Sequence, residues 1–140
     1  MEVLIAKRYR LQKKIGIGGF GDVYEAFDIK TSKKLALKLE KRTAAVPMLL
    51  YEAKILKYLR DIPGVPQIAS YGFTGDFNYM GLELLGHNLE RQLSLQNNKF
   101  SLKTSLILAY QMVDLVEQVH AKGILHRDIK PDNFLLGDPQ

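Results

Sequence analysis

The hydrophobic period changes partway along this chain, and that change limits the folds open to it more than any other feature. Up to about residue 85 the apolar residues alternate in short runs; beyond it they recur at helical spacing. Tyr9 to Ile15, Asp22 to Asp28 and Leu35 to Glu40 read as strands, separated by a glycine-rich turn and by Lys30-Thr31-Ser32-Lys33-Lys34. In the third of these, Leu35, Leu37 and Leu39 share one face and Ala36 and Lys38 the other. Pro47 to Arg60 is helical, with Leu49, Ala53 and Leu56 on one face, and Asp61-Ile62-Pro63-Gly64 ends it. Gln67 to Phe73 and Asn78 to Leu84 return to strand character across Thr74-Gly75-Asp76-Phe77, a hairpin signal. The expectation for residues 1–85 is a five-stranded antiparallel sheet with one helix.

Gly86 reads as a hinge, after which residues 86–140 become helical. Leu89 to Leu95 predicts a short helix and Gln96-Asn97-Asn98 a polar break. Ser101 is placed to cap a long helix running to about Lys122, with Gly123 as its stop. Leu102, Leu106, Ala109, Tyr110, Val113, Val116 and Val119 form a broad apolar stripe along it, which calls for burial against something. Strands gathered first and helices after give an α+β class.

A length of 140 residues with 46% hydrophobic content is enough for a packed core and argues against disorder. Lys and Arg number 20 against 15 Asp and Glu, a formal charge of +5, which favours anionic partners such as nucleotide, acidic peptide or nucleic acid. On charge alone an ordinary solvated surface is the simpler account. The absence of cysteine excludes disulfides and thiolate metal sites. No window approaches a membrane span, and the apolar run near Met1 is too short for a signal peptide, so the expectation is a soluble protein of the cytoplasm or nucleus.

Gly16-Ile17-Gly18-Gly19-Phe20-Gly21-Asp22-Val23 matches G-x-G-x-x-G-x-V, where glycines let backbone amides approach phosphate oxygens. By itself it fits a bare turn equally well. A dinucleotide fold requires a helix directly after the glycines, and here a strand follows; Glu40 still falls near the place of a ribose-binding acid, so that spacing does not discriminate. Lys38, in Leu35-Ala36-Leu37-Lys38, stands where V-A-I-K puts a phosphate-binding ammonium, and small Ala36 leaves room for adenine. The plain alternative is a surface lysine. Glu52, in the following helix, has the charge to hold it, although an exposed i, i+4 partner reads the same way.

His126-Arg127-Asp128-Ile129-Lys130-Pro131-Asp132-Asn133 fits H-R-D-x-x-x-x-N at every fixed position. Asp128 would orient a substrate hydroxyl and accept its proton, Lys130 would neutralise charge on a transferred phosphoryl group, and Asn133 would ligate magnesium through its amide oxygen. Three histidines without an H-x-x-x-H pair give poor support for a metal site, so His120 reads as helix-end packing and His126 as a structural part of the loop. Arg127 reads either as a surface cation or as a bridge to an activation segment. Lys38, Glu52, Asp128 and Lys130 are the candidate catalytic residues, and the reading requires Lys38 and Asp128 to serve one nucleotide.

From about Tyr9 to Gly137 the chain resembles the casein kinase I family of eukaryotic protein kinases. The resemblance is carried by Lys14-Ile15-Gly16, Leu37-Lys38-Leu39-Glu40, Tyr51-Glu52, Gly64-Val65-Pro66, Glu83-Leu84-Leu85-Gly86, Lys99-Phe100-Ser101-Leu102-Lys103-Thr104 and Lys130-Pro131-Asp132-Asn133-Phe134-Leu135. It implies a kinase-like fold, with an N-lobe over 1–85 and the start of a helical C-lobe over 86–140, and the cofactors ATP and Mg2+. It implies a glycine-rich grip on the phosphates at Gly16, Gly18 and Gly21, an adenine slot from Ile15, Val23 and Ala36, and hinge contacts at Glu83 and Leu85. Leu82 stands as gatekeeper, where the family more often has Met; Gly81 is unusual in a strand, and Gly19 replaces a frequent Ser. Lys130 supports Ser/Thr specificity, and the family's substrates are proteins with acidic or already phosphorylated sites, with no membrane and no specific nucleic acid as partner.

No D-F-G follows the loop in this sequence, so the aspartate that would hold magnesium between the β and γ phosphates has no counterpart in it. That leaves open whether these residues turn over by themselves. The alternative reading is a truncated, catalytically dead module that binds nucleotide or partners, with self-association through the Leu102 to Lys122 helix.

Overall fold

The structure, a computed structural model, describes residues 4–18 and 21–137. The described residues of Met1–Arg60 and Val65–Leu84 form one compact unit, and those of Asp61–Gly64 and Leu85–Gln140 another.

The first unit is an antiparallel sheet of six strands: β1 (Leu4–Ile5), β2 (Tyr9–Gly18), β3 (Gly21–Asp28), β4 (Lys33–Lys41), β5 (Ile68–Thr74) and β6 (Phe77–Leu82), in the order β1-β2-β3-β4-β6-β5. Five strands were expected. The sixth, β1, is two residues long, too short to show alternation. Helix α1 (Leu49–Tyr58) begins two residues later than expected and ends two residues earlier. Strand β6 stops at Leu82 instead of Leu84, while the hairpin loop narrows to Gly75 and Asp76, with Gly75 at φ +52°.

The two faces of β4 carry different interiors. Leu35, Leu37 and Leu39 pack with Tyr9 and Ala26 into a buried cluster, while α1 covers the opposite face, burying Leu49 and Ala53 against Met80. The turn after β3 is built by Asp28, 1% exposed. Its carboxylate accepts from Arg8 at 2.8 and 2.6 Å, from the Lys30 amide at 3.0 Å and from the Thr31 hydroxyl at 2.8 Å. Together these hold the Asp28 carboxyl well below the usual carboxylate range, the Arg8 guanidinium contributing most.

The second unit holds helices α2 (Leu89–Leu95) and α3 (Leu102–Ala121) and a 3-10 turn at Pro131–Asn133. Asn88 caps α2, its side chain accepting from the Arg91 amide at 2.8 Å, and Ser101 caps α3 as expected, accepting from the Thr104 amide at 3.1 Å. Asp61 pairs with Lys122 at the end of α3, and Gly64 faces the side chain of Leu115. The stripe on α3 is largely open: Val119 is buried, whereas Leu102 is 76%, Leu106 62%, Tyr110 76% and Val113 68% exposed. No described helix is long and apolar enough to cross a membrane.

Candidate active site

Within the sheet unit, the alternation of β4 turns Ala36, Lys38 and Glu40 toward α1. The Lys38 ammonium reaches Glu52 Oε2 at 2.7 Å, with only 14% of the lysine side chain exposed. The pair expected from the sequence is therefore made. Across the sheet, Val23 lies opposite Lys38 and Gly16 opposite Val23, while Leu82 lies opposite Ala36 and packs on the α1 cluster. Ile15 is 44% exposed, at an irregularity of the β2–β3 register between Lys14 and Gly16. Gly18 pairs with Gly21 at the end of this hairpin. The substitution at Gly19 lies outside the described residues, as does Phe20.

Gly21 has a reason to be glycine apart from any phosphate. A Cβ there would stand 2.1 Å from the Leu39 carbonyl oxygen, so β3 comes this close to β4 only without a side chain. Gly16 is under no such constraint, since its nearest neighbour would be Val23 Cβ at 3.8 Å. Glu83 lies just past β6. Its amide donates to the Gln67 carbonyl at 3.0 Å and its Oε1 accepts from the Gln67 amide at 2.9 Å.

Glu40 is where sequence reading missed a role. It is 2% exposed and acts as the cap that α1 lacks, because Met48 at the helix start supplies no side-chain cap. Oε1 accepts from the amides of Met48 at 2.8 Å and Leu49 at 3.1 Å, and Oε2 accepts from Asn78 Nδ2 at 3.0 Å. Burial alone would raise the Glu40 carboxyl, but these three hydrogen bonds and the Lys38 charge outweigh it and leave it below the ordinary range. With its oxygens so engaged inside the sheet unit, Glu40 is not a ribose ligand. Sequence spacing offered no signal, since the donors sit 8, 9 and 38 residues away.

In the helical unit, Asn133 Nδ2 donates to the Asp128 carbonyl at 2.7 Å and to Asp128 Oδ2 at 3.2 Å, and the Lys130 ammonium lies 3.4 Å from the same Oδ2. The Asn133 bond, then the Lys130 bond and the Lys130 charge, draw the exposed Asp128 carboxyl below its ordinary range by favouring its charged form. Arg127 holds a left-handed φ of +68°, a strained position for a side chain other than glycine, asparagine or aspartate. Next to it the Asp128 amide donates to His126 Nδ1 at 3.1 Å, as suits a structural part of the loop. His120 does something other than pack: it is exposed, and its Nε2 accepts from the His126 amide at 3.4 Å. The far side of the loop is tied back by Leu89 N–H to Phe134 O at 2.8 Å and by Gly86 and Leu136 bonds of 2.9 Å each.

This places Asp128, Lys130 and Asn133 in one cluster and Lys38 with Glu52 in another. The family model of the protein kinase domain matches residues 9–140.

The chain belongs to the protein kinase family.

Kinases of this family act on proteins with ATP and magnesium, and the residues present fit both. In the kinase sheet unit, Lys38 is a fixed cation of the kind that engages phosphate, beside a strand position kept small by Ala36. In the helical unit, the Asn133 amide nitrogen is committed to Asp128, which leaves the amide oxygen as the atom for a hard cation. Among the described residues no group of three or more His, Cys, Asp or Glu is arranged to hold a metal ion.

Proposed function

We propose that this chain is an ATP-dependent serine/threonine protein kinase of the casein kinase I type, with Lys38, Glu52, Asp128 and Lys130 as its catalytic residues. The observation that carries the reading is the Asp128–Asn133–Lys130 cluster, in which an ionised carboxylate is oriented by an amide and flanked by an ammonium. Asp128 accepts the proton of a substrate hydroxyl as its oxygen bonds to the γ-phosphorus. The bond from that phosphorus to the bridging oxygen breaks, and ADP leaves. Lys130 offsets negative charge on the phosphoryl oxygens, and Lys38, held by Glu52, positions the α and β phosphates. Magnesium, held through Asn133, supplies charge neutralisation when bound. In the sheet unit, Ile15, Gly16, Gly18, Gly21 and Val23 form the phosphate and adenine cover, with Ala36, Leu82 and Glu83 around the base. The Glu83 amide is already bonded to Gln67, so its carbonyl is the group left for adenine. The substrates are proteins with acidic or previously phosphorylated Ser/Thr sites.

The test is incubation of the protein with labelled Mg-ATP and casein beside an Asp128→Asn control. Phosphate transfer that disappears in the control supports the proposal; transfer that persists in it overturns Asp128 as the acceptor. A second reading, a nucleotide- or partner-binding module that pairs with a copy of itself, is favoured by the open stripe on α3. It predicts nucleotide-dependent thermal stabilisation without transfer.

A further inference from the structure

Strand β4 touches α1 at two points. Lys38 reaches Glu52, and two residues on, Glu40 reaches the amides of Met48 and Leu49. The later strand residue meets the earlier helix residues, so α1 runs back along β4. Two residues of strand cover about 6.7 Å, and the four-residue step from Met48 to Glu52, a little over one helical turn, rises about 6 Å. The spacings match closely enough for both contacts to form at once. Apolar packing of Leu49 and Ala53 on Met80 holds α1 to the sheet without directional bonds; the two polar contacts, about a turn apart, add a defined register along its axis.

We propose that Glu40, held in turn by Asn78, is a positioning residue that sets the axial register of α1 and thereby keeps Glu52 on Lys38. The inference rests on the kinase reading for its effect on nucleotide, but its mechanical part stands on the sheet unit alone. Glu40 is suited to this role because it is inside the fold, where a carboxylate aimed at two amide donors is fixed by geometry as well as charge. Its second oxygen is fastened to Asn78, its partner across the β4–β6 ladder, so the cap cannot swing away from the sheet. Removing the side chain strands the buried Leu49 amide and the Asn78 side chain without partners.

The experiment compares the wild type with Glu40→Ala, Glu40→Gln, Glu52→Ala, the double variant E40A/E52A and the exchanged pair E40Q/N78D. The exchanged pair restores both sets of hydrogen bonds with the charge moved to position 78. Readouts are amide hydrogen exchange along α1, the 15N resonance of the Lys38 ammonium, and Mg-ATP affinity. Glu40→Ala is expected to speed exchange in the first turn of α1 by about 10-fold or more, to move the Lys38 resonance as Glu52→Ala does, and to weaken Mg-ATP. E40A/E52A should bind no more weakly than Glu52→Ala, because both act through one pair. Glu40→Gln should fall between, and E40Q/N78D should recover the wild-type resonance. An unmoved Lys38 resonance in Glu40→Ala and Glu40→Gln, or affinity losses that simply add in the double variant, would overturn the proposal. Should Glu40→Ala not fold, Glu40→Gln and the exchanged pair decide it. Should the wild type bind no Mg-ATP, the kinase reading fails, and the exchange and resonance data still decide the role of Glu40.

Discussion

At the scale of the residue, the loop from His126 to Asn133 shows how few atoms a motif specifies and how much the surroundings add. Its fixed positions are legible because His, Arg, Asp and Asn rarely fall at that spacing by chance. The bonds that hold it are not: His120 supports the His126 amide from the end of α3, and imidazole has no periodic signature. Glu40 is the stronger case, since an acidic residue beside a leucine strand looks solvent-facing until its donors are known. Because Asp128 is exposed and already ionised, its loss should affect chemistry and not folding. Asp128→Asn is expected to lower phosphate transfer by about 10²- to 10⁴-fold. The Mg-ATP dissociation constant should change by less than about 3-fold. Single-turnover transfer with separate calorimetric binding checks both parts.

At the scale of the element, strands β2 to β6 and all three helices were readable, with errors confined to their ends. Alternation and capping report the middle and the start of an element, whereas an end depends on the neighbour that claims the next amide, as Gln67 claims that of Glu83 beyond β6. Strand β1 escaped because it exists only as the partner of Tyr9 and Arg10. Two glycines of the β2–β3 hairpin, one on each strand, make separable expectations. Gly21→Ala drives a methyl into the Leu39 carbonyl and should destabilise the fold by about 3 kcal/mol. Gly16→Ala meets only ordinary contact and should stay within about 0.5 kcal/mol of wild type in stability. Urea denaturation distinguishes them, and equal losses would mean that the approach of β3 to β4 has been misjudged.

At the scale of the whole molecule, two predictions concern stability and association. The Asp28 and Glu40 carboxyls are both held below their ordinary range in the folded state. Their contribution is complete above the unfolded carboxylate pKa of about 4 and is lost as the pH falls toward the folded values, because the unfolded chain then takes up protons that the folded one refuses. The melting temperature should therefore drop steeply on acidification below about pH 4. Asp28→Asn should flatten that slope while lowering the melting temperature at pH 7. The open column Leu102, Leu106, Tyr110 and Val113 presents apolar surface on the scale of the largest patch of an ordinary monomer, about 300–600 Å². Sedimentation should show concentration-dependent self-association, weakened by L106E; a monomer at all concentrations would mean this face needs no cover.

Strand β4 carries the core on its odd positions and Lys38 and Glu40 on its even ones. Its tolerance of insertion and deletion thus has a parity. A shift of one residue would lodge an ammonium and a carboxylate among the leucines and turn leucines toward α1, whereas a shift of two would preserve both faces and lose only alignment. Length variation in this strand among related chains should come in steps of two or not at all.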